Sequence, residues 1–267
     1  MSVIAPYDRE ALRQQFRNAR PFPWLSIDGF LQPEFAEQVA RSYPKYEAAI
    51  GLGRQFTAVN ENRKVQIGDY SLFPDPVKRL SDAVSDPTFL ADLSYITGIR
   101  DLLWDVSFSG GGMHETAQSG WLDVHVDFNF HEQFNTHRRL NILVFLNPEW
   151  DERWGGKLEL WDTSVQTLAH AMTPILNRCV VFETSEISWH GVTAVTCPEG
   201  IARKSFAAYY YTREAPEGWD GAKHTTIFKA RPDEYMKRHV TMPAEAARRT
   251  LSRGVRTAKD AVKRLLK

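Results

Sequence analysis

The chain has 267 residues, 43% apolar and 12% aromatic, enough to bury a substantial core in one elaborated domain or in a domain with an appendage. Its 33 Lys and Arg balance 33 Asp and Glu, which leaves no overall electrostatic pull toward nucleic acid. Cys179 and Cys197 are the only cysteines and lie in or beside apolar runs, so the expectation is a reducing cytoplasm without a disulfide framework, and neither a signal peptide nor a membrane span is expected.

The first hundred residues read as mainly helical support. YDREALRQQFRNA has helical spacing, PWLSIDGF reads as a short strand, and QPEFAEQVARSY carries a proline suited to a first helical turn. DPVKRLSDAV and DPTFLADLSYITG both open on Asp-Pro and continue at helical period, the second stopping at Gly98. The period then changes. From about Leu102 to Thr212 come short apolar runs separated by turn signals: LLWDVSF, WLDVHVD, RLNILVFLN, KLELWD, RCVVFE, WHGVTAV and KSFAAYYYT. Strands so short and so regularly spaced predict a closed or doubly layered β core within a helical shell.

The division expected is therefore 1–100, a helical support region; 101–213, the β core; and 214–267, an extension. That extension ends in a helix, with eight Lys or Arg between Ala244 and Lys267 against Glu245 and Asp260. Its modest apolar stripe can pack on the domain, dock on another chain, or attach weakly to an anionic membrane, peripheral to the inner face. Oligomeric state is not legible.

The densest chemistry lies in WLDVHVDFNFHEQFNTHRR, residues 121–139. Strand alternation puts Leu122, Val124 and Val126 on one face and Trp121, Asp123, His125 and Asp127 on the other. His125-x-Asp127 can thus offer two ligands from a strand and its exit. Two histidines and one carboxylate on one face of an octahedron leave the opposite face open, which suits a non-haem iron(II) oxygenase. The third ligand must return from a distant strand, and His190 in WHGV follows His125 by 65 residues. Further on, Arg203 and Ser205 share a face while Lys204 points away. A guanidinium fork beside a hydroxyl is what the tail of a buried dicarboxylate requires.

His125-x-Asp127, RRLNILVFLN, WGGKLELWD, His190-Gly-Val and Arg203-x-Ser205 together resemble the 2-oxoglutarate and iron(II)-dependent dioxygenases of the prolyl-4-hydroxylase-like group, in its uncharacterised bacterial branch. The resemblance covers residues 102 to 212 and implies an α+β protein with a double-stranded β-helix (jelly-roll) core, an N-terminal helical shell and a C-terminal helix. It implies Fe(II) on His125, Asp127 and His190, with 2-oxoglutarate as co-substrate, dioxygen, and ascorbate as an accessory reductant. Arg203 and Ser205 would hold the far carboxylate. Where many relatives place a tyrosine that also touches this carboxylate, the chain has Phe145. Asn141, on the face of Leu143 and Phe145, is a candidate for a polar contact to the co-substrate, and His114 for a place in the site wall. Asp123 and Glu132 are read as outside the ligand set or exposed, and His131 and His137 as solvent-exposed or hydrogen-bonded in a loop.

The implied reaction is hydroxylation of an unactivated C–H bond with release of succinate and CO2. Halogenation is disfavoured, since Asp127 fills the carboxylate position that halogenating relatives leave empty. A small molecule, a glycan or a protein all remain open as substrate, with nucleic acid not expected. Two other classes stay in view: a cupin-like metal-dependent isomerase or hydrolase, which would not need Arg203 and Ser205, and a non-catalytic metal- or ligand-binding module.

Overall fold

The change of period near residue 100 marks a change from helices to sheet, although three strands precede it. The computed structural model describes residues 2–244, so the basic helix expected at the C-terminus lies, from Glu245 onward, outside the described residues. Five α-helices occupy the N-terminal part: α1 (Arg9–Asn18), α2 (Pro33–Ser42), α3 (Tyr46–Leu52), α4 (Asp75–Ser85) and α5 (Pro87–Thr97). Local chemistry sets their ends. The Asp8 carboxylate accepts from the N–H groups of Glu10 and Ala11, Asp86 caps α5 with Pro87 in its first turn, and Gly98 ends it in the left-handed region at φ 79°. None of the described helices is long and apolar enough to cross a membrane.

The strands are β1 (Trp24–Asp28), β2 (Arg54–Ala58), β3 (Glu61–Ile67), β4 (Leu103–Trp104), β5 (Gly112–Val126), β6 (Phe130–His131), β7 (Thr136–Phe145), β8 (Leu158–Trp161), β9 (Leu168–Met172), β10 (Arg178–Glu183), β11 (His190–Val192), β12 (Ala202–Thr212) and β13 (Ile227–Lys229). They form one curled antiparallel sheet with the path β1-β10-β7-β12-β5-β11-β8-β9. The β2–β3 hairpin, in a stretch the sequence reads as helical support, joins this sheet by pairing β3 with β5.

Strand β5 does the curling. Its first half, Gly112 to Ala117, lies between β12 and β3, whereas its second half leaves β12 and pairs with β11, β13 and, at Trp121 and Leu122, the start of β3. The bend between them needs Gly120, because a Cβ there would sit 2.5 Å from Thr116 Cγ2 and 2.8 Å from the Asn62 carbonyl. One face of the sheet is covered by the helices: Leu140, Ile142 and Val144 of β7 and Phe206, Ala208 and Tyr210 of β12 share a core with Phe16, Val39, Leu80 and Leu93. Alternation sends the intervening residues, Asn141 and Leu143 with Arg203, Ser205 and Tyr209, into a cavity on the other face.

Candidate active site

The cavity, about 550 Å³, is lined by His125, Asp127, His190, Arg203, Ser205 and Asn141, so all six residues singled out from the sequence face one space. His190 opens β11 and pairs in register with His125 of β5, which brings the two imidazole centroids to 4.2 Å. Asp127 follows the end of β5, and one ligand atom from each of the three lies within 4.8 Å of the others. Each imidazole is oriented by its neighbouring backbone: Nδ1 of His125 lies 2.8 Å from the Asp123 carbonyl and Nδ1 of His190 lies 2.9 Å from the Ser188 carbonyl. A carbonyl only accepts, so Nδ1 carries the proton and Nε2 keeps its lone pair.

Those Nε2 atoms point at the carboxylate, 3.7 Å and 3.5 Å from the Asp127 oxygens. Three lone-pair donors converging in a buried space repel one another unless a cation lies among them, and two nitrogens with one carboxylate are the donor set for a divalent transition metal. Burial, reinforced by the neighbouring His125, pushes His190 down to about 3, so that it stands as the neutral ligand form. The residues present therefore fit iron(II).

Asp127 is itself held. Although burial acts against its charge, the Arg138 guanidinium keeps the carboxyl well below the usual range. Arg138 Nη2 lies 3.2 Å from Asp127 Oδ2, and Asn141 bridges the two: its Oδ1 accepts from Arg138 Nε and Nη2 at 3.0 and 2.8 Å, and its Nδ2 donates to Asp127 at 2.8 Å. The guanidinium is sandwiched 3.5 Å from the Tyr209 ring and 4.7 Å from Phe128. Strict alternation from Asn141 points to Arg139 on this face. A bulge where β12 passes from Tyr210 to Tyr211 skips Arg139 and turns Arg138 inward instead.

The deep wall is cationic. Arg203 is 4% exposed; its Nε donates to the Gly156 carbonyl at 2.7 Å, its Nη1 reaches Ser205 Oγ at 3.4 Å, and its guanidinium lies 4.9 Å from the Phe145 ring. No carboxylate pairs with it among the described residues, and burial pushes it down to about 10. Lys204 points away, toward the ring of Tyr43, and Arg178 is paired with Asp28 on β1. His114 lines the cavity, 3.0 Å from the Gly110 carbonyl, and burial together with Lys64 and Arg203 keeps it neutral. Lys64 of β3, absent from the sequence reading, lines the cavity as well.

The segment after β12 returns over the site. Strand β13 pairs Phe228 with His125 and sets its ring 5.4 Å from the imidazole. Arg231 binds Glu159 at 2.5 Å, and Lys237 reaches Asp123 at 2.5 Å. Asp123, expected outside the ligand set or exposed, is fully buried beneath this segment, and burial pushes its carboxyl up to about 6 despite the two cations. His131 and His137 are buried too rather than solvent-exposed: Nε2 of His131 lies 3.3 Å from Ser107 Oγ, and His137 packs 4.4 Å from the Trp219 ring. Glu132 does remain exposed, 3.6 Å from Lys223.

Comparison with known proteins agrees with this geometry. Residues 111–211 match the model of the 2OG-Fe(II) oxygenase superfamily. Prolyl 3-hydroxylase OGFOD1 of Mus musculus is 33% identical over 78 residues, 28% of this chain and 14% of the mouse protein. The Xenopus laevis protein of the same name is 30% identical over 111 residues, 39% of this chain and 21% of that protein. The match thus spans about a fifth or less of these curated relatives. Among solved structures, a Pseudomonas putida prolyl-4-hydroxylase aligns with a TM-score of 0.55 at 15% identity, over 78% of this chain and 100% of that one. A Trichoplax adhaerens prolyl hydroxylase, solved with a hypoxia inducible factor oxygen degradation domain peptide fragment, aligns with a TM-score of 0.54 at 18% identity, over 76% and 90%. At those identities the structures establish the shared fold. Residues 111–211 are thus similar to the 2OG-Fe(II) oxygenase superfamily, the fold is shared with these two prolyl hydroxylases, and the matched core carries the His125, Asp127 and His190 constellation.

Proposed function

We propose that the protein hydroxylates an unactivated C–H bond, consuming 2-oxoglutarate and dioxygen at Fe(II) and releasing succinate and CO2. The observation that carries this reading is the pairing, in one cavity, of a convergent His125, Asp127 and His190 set with a buried Arg203 that has no carboxylate partner among the described residues. A cupin-like isomerase or a binding module would need the metal ligands but not the unpaired guanidinium fork.

The chemistry that iron(II) supplies when bound is oxidative: dioxygen is activated, 2-oxoglutarate is decarboxylated, and one oxygen atom enters the substrate. The chain's own residues do the positioning. His125, Asp127 and His190 hold the ion, and the Nδ1 bonds to the Asp123 and Ser188 carbonyls fix their lone pairs. Arg203 grips the far carboxylate with the hydroxyl of Ser205 beside it. Asn141 uses one amide hydrogen to hold Asp127 and keeps the other for the co-substrate. Phe228, Trp121 and Leu122 wall the substrate side with apolar surface and exclude water.

The mouse and frog relatives are named prolyl 3-hydroxylases, which makes a prolyl residue of a peptide or protein the first substrate class to test, ahead of small molecules and glycans. Succinate release measured against a panel of peptides, free amino acids and glycans tests the reading. Iron-dependent succinate formation stimulated by one class supports it, and metal loading without 2-oxoglutarate consumption under any substrate would refute it.

A further inference from the structure

Lys64 and Arg203 stand on opposite sides of the same residue. In β3 Lys64 pairs with Thr116 of β5, and in β12 Arg203 pairs with that same Thr116. Side chains in register on adjacent strands leave the sheet on one face, so the three form a row. With strands about 4.8 Å apart, the two outer Cα atoms are separated by about 10 Å, a span that a lysine and an arginine close from either side. The next row along, Gln66, His114, Ser205 and Phe145, follows the same register.

Both cations are sequestered. The Lys64 side chain is 14% exposed, its ammonium lies 3.5 Å from Glu61 of its own strand and 4.7 Å from the ring of Phe56, and Glu61 is its sole carboxylate contact among the described residues. Arg203 has only the Gly156 carbonyl and Ser205 hydroxyl as polar contacts. Burial lowers the lysine, and the proximity of Arg203 lowers it further against the pull of Glu61 and Asp127. Two like charges facing a common space without an anion between them disfavour the empty pocket and favour an anionic guest. A carboxylate has about four lone-pair sites. The arginine fork fills two, and Lys64 with a hydroxyl from Thr116 or Ser205 can meet the others. Phe145, adjacent in the second row, offers none.

We propose that Lys64 is a second cationic anchor for the far carboxylate of 2-oxoglutarate, gripping it across Thr116 from Arg203. This rests on the co-substrate reading above. Lys64 is a positioning residue in the bound state and is parked on Glu61 in the free protein.

The test is calorimetric titration of the full chain loaded with Mn(II), in which no turnover occurs. The probes are 2-oxoglutarate and 2-oxobutyrate, which keeps the chelating end and lacks the far carboxylate. Lys64→Met should weaken 2-oxoglutarate binding on the order of 10- to 100-fold, the weight of one hydrogen bond to a charged group. Binding of 2-oxobutyrate and of Mn(II) should not change, and Lys64→Arg should recover most of the loss. Lys64→Gln replaces the methionine variant if the latter has no cooperative melt. An unchanged 2-oxoglutarate affinity in the folded variant, with wild-type binding intact, would overturn the proposal alone. Absence of 2-oxoglutarate binding by the Mn(II)-loaded wild type would overturn the co-substrate reading and the proposal with it.

Discussion

Replacing Arg203 with alanine separates a binding role from a structural one, because the two predict opposite effects on the free protein. A buried arginine in an ion pair costs about 3–5 kcal/mol of stability when its partner is stranded. Arg203 strands no carboxylate. Burial has pushed its guanidinium down from its ordinary value to about 10, so the charged form is disfavoured in the folded chain by about 3 kcal/mol. Against this stand the lost bond to Gly156 and the lost contact with Phe145, together about 2–3 kcal/mol. The two contributions nearly cancel, and Arg203→Ala without ligand should melt close to wild type. The ligand response should differ sharply. Removing one partner of a buried charge pair costs about 2–5 kcal/mol, or about 30- to 5000-fold in the 2-oxoglutarate dissociation constant. Ligand at 100 times the wild-type dissociation constant stabilises wild type by about 2.7 kcal/mol, and this shift should fall to about 0.9 kcal/mol or less in the variant. Melting curves of the Zn(II)-loaded proteins with and without 2-oxoglutarate read both quantities. An undiminished ligand shift, or a collapse of the ligand-free melt, would refute the reasoning.

Two further outcomes follow from other parts of the fold. Glu115, 1% exposed with neither carboxylate oxygen hydrogen-bonded, is pushed by burial up to about 7. Because the folded chain holds this proton more tightly than the unfolded one, its contribution is full below the ordinary glutamate range and is lost as pH rises toward 7, by about 3 kcal/mol. Glu115→Gln should flatten that part of the profile in denaturant titrations between pH 5 and 8, and an unchanged slope would show that Glu115 is solvated. Gly156 sits at φ 63°, where an added Cβ would lie 3.0 Å from Arg203 Cδ. Gly156→Ala should cost about 1–3 kcal/mol of stability and weaken 2-oxoglutarate, leaving metal affinity intact; equal losses of both ligands would instead indicate general disorder of the site.

The convergence of His125, Asp127 and His190 was legible because the information is local: two residues apart on a strand share a face, and a histidine opening a distant strand can meet them. Arg203 and Ser205 obeyed the same rule. Where the rule failed, longer-range geometry intervened. Arg138 entered the cavity through a bulge that breaks alternation in β7, which no count of apolar residues reveals. Lys64 arrived on a hairpin whose two strands bury only Val65 and Ile67, too few apolar residues to mark a strand period. Asp123 is covered by Arg231 and Lys237 from more than a hundred residues downstream, so its burial depends on a contact absent from its own neighbourhood.

The central claim is that His125, Asp127 and His190 together hold a divalent ion and that the co-substrate binds beside it. Calorimetric titration of Mn(II), and then of 2-oxoglutarate, into wild type and His190→Ala tests it most directly. The account predicts one equivalent of metal in wild type, 2-oxoglutarate binding only after that metal is present, and loss of both in His190→Ala with its melting transition preserved. Stoichiometric metal binding by His190→Ala at wild-type affinity would contradict it.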